Sequence, residues 1–151
     1  MSELISPPVD MSSDLKTAIA AVQAAGEIVR EGFQTDMDPE SKGVKGLVTK
    51  YDRLAEQAIV EVLQANSAYS VLGEESGLTQ TDSDRRWVID PIDGTSNFFR
   101  KLPLFGVSIA LMKEAEVLLG VILNPLTGEC FFAEQGRGAF VNGRPIRVSA
   151  N

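Results

Sequence analysis

Trp87-Val-Ile-Asp90-Pro91-Ile92-Asp93-Gly94-Thr95-Ser96-Asn97-Phe98 is the stretch on which the reading of this chain turns. Residues 87–90 read as a strand that delivers Asp90 at its carboxyl end. Pro91 fixes its own φ and disfavours a helical Asp90, so the chain turns there. Asp93 then returns near Asp90, and Gly94 permits a tight bend. Thr95 or Ser96 opens a short helix that must end before Pro103. The first amides of a helix have no intrahelical partner and face whatever lies before them, an arrangement suited to phosphate. Two carboxylates beside such amides form a hard oxygen cluster suited to Mg²⁺, and a carbonyl such as that of Ile92 completes a ligand set. Taken alone, Asp93-Gly94 reads as an ordinary turn. Strand end, paired carboxylates and helix start seldom coincide for turn-making, so the whole string reads as a functional site.

Working outward, Gly73-Glu74-Glu75-Ser76-Gly77 follows a strand candidate at residues 69–73. Adjacent glutamates at a strand end repel unless solvent or a cation relieves them. Read by themselves they are an exposed loop; beside Asp90 and Asp93, Glu74 becomes a third carboxylate for Mg²⁺. Asp52 lies three residues after Thr49, where a helix start with Thr49 as cap accounts for it, and a carboxylate in that first turn can also face a cleft. Lys42 and Lys45 sit in a glycine-containing loop and read first as solvated, with phosphate steering as the second reading.

The remaining sequence gives these motifs a frame. Leu15, Ile19, Val22, Gly26, Val29 and Phe33 recur at helical spacing, with Ser12 or Ser13 as cap. Residues 34–47 read as a loop, and a second helix is expected from about residue 49 to 66 with Leu54, Ala58, Ile59, Val62 and Leu63 inward. The period then changes to two. Strands are expected near residues 69–73, 87–90, 105–111, 117–123 and 129–134, with a polar loop at 77–84. Residues 117–123 are apolar on both faces, as in a covered central strand. Asn142-Gly143 marks a hairpin turn between residues 139–141 and 145–148. The expectation is an α+β layered sandwich, two amino-terminal helices packed on a mainly antiparallel sheet. No helix follows to cover the second sheet face, which points to a longer natural protein or to a partner.

Composition narrows the chemistry. The chain has 151 residues, 44% of them hydrophobic, which suits one domain with a substantial core. Fourteen basic against 21 acidic residues leave a net charge of −7, which argues against nucleic acid or an anionic membrane as partner. No histidine is present, so Ser-His, Cys-His and His-zinc chemistry is excluded. The lone cysteine, Cys130, lies beside Phe131-Phe132 and reads as a core thiol, consistent with a reducing, cytoplasmic setting. Residues 1–12, with Pro7 and Pro8, read as a flexible tail rather than a secretory signal, and residues 13–151 as the amino-terminal metal-binding portion of a larger unit.

These motifs together resemble the inositol monophosphatase family. Trp87-Val-Ile-Asp-Pro-Ile-Asp-Gly-Thr-Ser-Asn-Phe98 is similar to its signature, Gly73-Glu-Glu-Ser76 to its upstream acidic motif, and Leu47-Val-Thr-Lys-Tyr-Asp52 to its early aspartate motif. Gly136-Arg-Gly-Ala-Phe-Val-Asn-Gly143 also has the family's look. The resemblance implies the first half of that family's fold and a Mg²⁺-dependent, lithium-sensitive phosphomonoesterase, commonly a homodimer. It implies Glu74, Asp90, the Ile92 carbonyl and Asp93 as metal ligands, with two or three Mg²⁺ in a complete site. Asp52 and Thr95 would position and activate water, and the Gly94 and Thr95 amides would hold phosphate. Inositol monophosphate is the default substrate; histidinol phosphate, fructose 1,6-bisphosphate, sugar and nucleotide phosphates are rivals. A half-domain without catalysis, binding metal or pairing with another chain, is the alternative of a different class. The chain departs from the family in two places. The second half, with a later metal-binding aspartate, is absent, and Arg100-Lys101-Leu102 replaces a His/Gly-containing stretch, adding charge that would act on substrate or an interface, or be solvated.

Overall fold

Ser12 starts the first helix. Its hydroxyl accepts the Leu15 amide at 3.1 Å, and α1 runs from Ser13 to Gln34 with Asp14 in the first turn, where a negative charge suits the helix dipole. The computed structural model describes residue 8 and residues 10–35, 40–41, 47–48 and 50–150. Most of the expected tail, and Lys42, Lys45 and Thr49, lie outside these. Of the tail, Met11 is buried, Arg137 Nη1 donates to the Asp10 carbonyl at 2.7 Å, and the Ser12 amide donates to Glu134. Leu15, Ile19, Val22, Gly26 and Val29 form the buried stripe of α1, as their spacing predicts, and Phe33 packs against Phe98 and Phe105. Lys101 is not free. Its ammonium donates to the carbonyls of Phe33 and Thr35, both at 2.6 Å, and so closes the carboxyl end of α1.

Helix α2, Lys50–Asn66, has a different inward face from the one expected. Ile59 and Leu63 are buried, but Leu54 is 45% exposed and Ala58 and Val62 lie at the margin. The buried stripe is Tyr51, Asp52, Ala55, Glu56, Ile59 and Leu63. Counting only apolar positions rotates the helix wrongly, because two carboxylates belong to the face that packs inward. Between the helices, β1 (Glu40–Ser41) and β2 (Leu47–Val48) pair antiparallel inside the stretch expected to be loop.

The remaining strands are β3 (Ser70–Gly73), β4 (Gly77–Thr79), β5 (Arg85–Asp93), β6 (Gly106–Lys113), β7 (Glu116–Leu123), β8 (Cys130–Glu134), β9 (Gly138–Val141) and β10 (Arg144–Ile146). They form one sheet in the order β10-β9-β8-β7-β6-β5-β3-β4. Neighbours run antiparallel except β3 and β5, which are parallel. The architecture is therefore the expected α+β arrangement, helices on a mainly antiparallel sheet. β4 lies inside the expected polar loop: Gly77, at φ 73°, turns the chain back along the outer edge of β3. Asn142 and Gly143, at φ 47° and 81°, make the expected hairpin turn between β9 and β10, a type I′ geometry suited to strand twist.

Both long helices lie on one sheet face, α1 against β6 and β7 and α2 against β5. Trp87, Ile89, Val107, Ile109, Leu111, Leu119 and Val121 point toward them and are almost fully buried. The Trp87 indole N–H donates to Ser67 Oγ at 2.9 Å, so the largest core side chain keeps its polar atom satisfied. The opposite face is covered by no element among the described residues. Cross-strand register aligns Leu72, Val88, Ala110, Gly120, Ala133 and Ala139 into one apolar row across it. β7 is thus central within the sheet but covered on one face only: Leu119, Val121 and Leu123 are buried, whereas Val117 and Ile122 are 54% and 53% exposed. No described helix is long and apolar enough to cross a membrane.

Candidate metal and phosphate site

The parallel pair β3–β5 creates the site. Register pairs Gly73 with Ile89, and the two strands run in the same direction, so the next residues along, Glu74 just past β3 and Asp90 still within β5, lie side by side. A strand end that an antiparallel hairpin would have placed at the opposite edge is here brought beside Asp90. Asp93 needs a second device. Residues three apart on a regular strand point to opposite faces. On β5, Asp90 pairs with Ser108 and Asp93 with Gly106, so three steps on one strand match two on the other. This β-bulge around Pro91 and Ile92 turns Asp93 to the same face as Asp90 while Ile92 stays buried in the core.

The carboxylates crowd one another. Asp90 is raised from 3.8 to about 7, first by burial, then by a hydrogen bond and charge repulsion from Glu74, then by the charges of Asp93 and Asp52. Asp90 Oδ1 is buried with no hydrogen-bond partner. Buried polar atoms are nearly always paired, so an orphaned carboxylate oxygen facing other acids is a candidate contact for a cation. Among the described residues no three or more acidic, histidine or cysteine side chains are grouped so that they could hold a metal ion between them. The donors nevertheless fit Mg²⁺ in kind, since that ion typically takes one or two carboxylates and keeps several waters.

Asp52 is buried in the first turn of α2, 1% exposed. Thr95 Oγ1 lies 3.2 Å from Asp52 Oδ1 and 3.0 Å from the Ile92 carbonyl, so its single proton can go to either. Gly94, at φ 93° and ψ 38°, precedes the short helix α3, Thr95–Phe99. The left-handed turn there requires glycine, and a Cβ would meet the Leu104 carbonyl at 3.0 Å. The Thr95 hydroxyl thus joins Asp52 to the Ile92 carbonyl, with Gly94 next to it in the chain, while Asp52, Glu74 and Asp93 all act on the charge of Asp90. Cys130 stays apart, fully buried, its thiol pushed up to about 12 by burial, and is no nucleophile.

One residue of this region escaped the sequence reading. Glu56, 3% exposed, accepts the amides of Glu75 at 2.8 Å and Ser76 at 2.7 Å. Its signal was present: it stands one helical turn after Asp52, on the same face.

Known proteins resemble this chain along nearly all of its length. The family model described as the inositol monophosphatase family matches residues 10–151. The chain belongs to the inositol monophosphatase family. Inositol monophosphatase 2 of Solanum lycopersicum is 41% identical over 146 residues, covering 93% of this chain and 55% of the relative. Nus factor SuhB of Pasteurella multocida is 39% identical over 142 residues, 91% of this chain and 53% of its own length. The crystal structure of extragenic suppressor protein SuhB from Bartonella henselae superposes with a TM-score of 0.87 at 38% identity, covering 93% of this chain and 56% of that one. The chain therefore spans about half the length of the family members it matches.

Proposed function

We propose that this chain carries the metal and phosphate half of a Mg²⁺-dependent phosphomonoesterase, with inositol monophosphate as substrate. The observation that carries the reading is the orphaned Oδ1 of Asp90 in a cluster of acids at the mouth of a parallel strand pair. Glu74, Asp90, Asp93 and the Ile92 carbonyl would hold Mg²⁺. When bound, the ion supplies charge neutralisation and polarisation of the phosphoryl group. The Gly94 and Thr95 amides, at the start of α3, would receive phosphate oxygens. Thr95 can accept a proton from the attacking water while donating its own to Asp52, because the two side chains are already in contact. Phosphoryl transfer depends on positioning and charge more than on a protein nucleophile, which suits a site of carboxylates, a hydroxyl and amides. Relatives named inositol monophosphatase support the substrate; lithium sensitivity, a homodimer and a cytoplasmic location belong to the same reading.

A second reading has its own observation, the uncovered sheet face: the chain is a half-domain that binds metal, or pairs with another chain, without turning over substrate. Phosphate release from inositol 1-phosphate with Mg²⁺, alongside Asp93→Ala and with Mg²⁺ binding followed by calorimetry, separates the two. Release that disappears in the variant supports the phosphatase. Mg²⁺ binding without release in a folded chain supports the half-domain. A folded chain with neither property refutes the metal site.

A further inference from the structure

Glu56 is a buried carboxylate for which water activation and metal binding have no use. Its position on α2 points it at the β3–β4 turn, where its two oxygens take two consecutive amides, Glu75 N to Oε2 and Ser76 N to Oε1. Hydrogen bonds from amides to a charged acceptor are about twice as strong as neutral ones, and here both are short. The fold clears space for this contact. A Cβ on Gly73 would lie 2.5 Å from Glu56 Oε1 and 2.6 Å from Ser76 Oγ, so only glycine at that strand end lets the carboxylate in.

The held turn begins with Glu74. That side chain is exposed, and it meets Asp90 through a hydrogen bond opposed by like-charge repulsion. A carboxylate on an untethered turn would relax outward into water, where the repulsion is screened. Anchoring the two amides that follow removes that escape. We propose that Glu56 is a positioning residue: by fixing the Glu74–Ser76 turn it keeps Glu74 against Asp90, and so sets the affinity of the site for Mg²⁺. The proposal rests on the metal reading above and adds to it a residue that holds one of the candidate ligands in place.

Glutamine at 56 keeps the shape but puts an NH₂ group against one of the two amides, so one bond is lost. Alanine at 73 disturbs the same contact from the strand. The test uses the 151-residue chain and its Glu56→Gln and Gly73→Ala variants. Mg²⁺ binding is measured by calorimetry, exchange of the Glu75 and Ser76 amides by NMR, and folding by thermal unfolding. The expected result is cooperative unfolding, exchange of the two amides accelerated at least tenfold, and Mg²⁺ affinity lowered at least tenfold. Unchanged exchange shows that Glu56 does not hold the turn and overturns the proposal. Fast exchange with unchanged Mg²⁺ affinity also overturns it, because the turn would then not matter to the site. Should one variant fail to fold, the other carries the decision; failure of both makes Glu56 a residue of folding alone and overturns the positioning role. A wild-type chain that binds no Mg²⁺ refutes the metal reading and the proposal together. Binding that survives both folded variants refutes only the proposal.

Discussion

Asp90 is the residue most exposed to a change of conditions. Its carboxyl is raised from 3.8 to about 7, by burial first and by Glu74, Asp93 and Asp52 after it. A raised carboxyl means that the folded chain prefers the protonated form. That contribution is full below about pH 4, where the unfolded chain is protonated too, and is lost as pH rises through 7. The metal-free chain should therefore melt at a lower temperature at pH 8 than at pH 5. The chain has no histidine to titrate in that window. Asp90→Asn should flatten the profile, and saturating Mg²⁺ at pH 8 should raise the midpoint of the wild type but not of the variant; scanning calorimetry reads both. Thr95 is tested by its hydroxyl. Thr95→Val keeps the branched shape and should lower kcat by roughly 10²–10⁴-fold in phosphate-release assays, the usual worth of a positioned proton-transfer group, while Thr95→Ser retains most of the rate.

Elements place these residues, and each element has a local cause. The β9–β10 hairpin shows it most simply. Asn142 tolerates its φ of 47° better than most residues, and it also binds β8: its Oδ1 accepts the Cys130 amide at 2.8 Å and its own amide donates to the Cys130 carbonyl at 2.9 Å. Asn142→Ala loses the side-chain bond and adds left-handed strain, which together should cost about 2 kcal/mol in urea unfolding. Wild-type slope with a lowered midpoint would show that the sheet stays intact; a changed slope would show instead that β10 has detached. The hairpin, the α1 stripe and most antiparallel strands were legible in the sequence because each follows from spacing and turn chemistry over a few residues. The inward face of α2 was not. Its direction is set by Asp52 and Glu56, which are buried because partners elsewhere in the chain satisfy them, and apolar periodicity carries no record of that.

At the scale of the whole molecule, the helices cover one face of the sheet and leave the other open. Ile122 and Phe131 pair across β7 and β8 on the open side, 53% and 41% exposed. Apolar surface of this kind tends to associate. The isolated chain should self-associate at micromolar concentration by sedimentation velocity, and Ile122→Lys with Phe131→Lys should shift it toward monomer. Neither side chain contributes to the helix-covered core, so the double variant should still unfold cooperatively. Association that persists unchanged would place the contact elsewhere.

The sequence by itself narrowed the chemistry open to the candidate site. The absence of histidine, the spacing of Asp90 and Asp93 about a proline, and the glycine before Thr95 restrict the site to hard oxygens and amides, and these are properties of residue type and near neighbours. It also determined the layer architecture, because period and turn residues are local signals. Only the tertiary structure decided which carboxylates meet. Glu74 reaches Asp90 through a parallel pairing across the intervening β4 and loop, Asp93 shares its face through a bulge, and Glu56 binds the β3–β4 turn across 20 residues of chain to Ser76. Those relations depend on register and on side-chain partners far apart in sequence, and such contacts exist only once the chain has closed on itself.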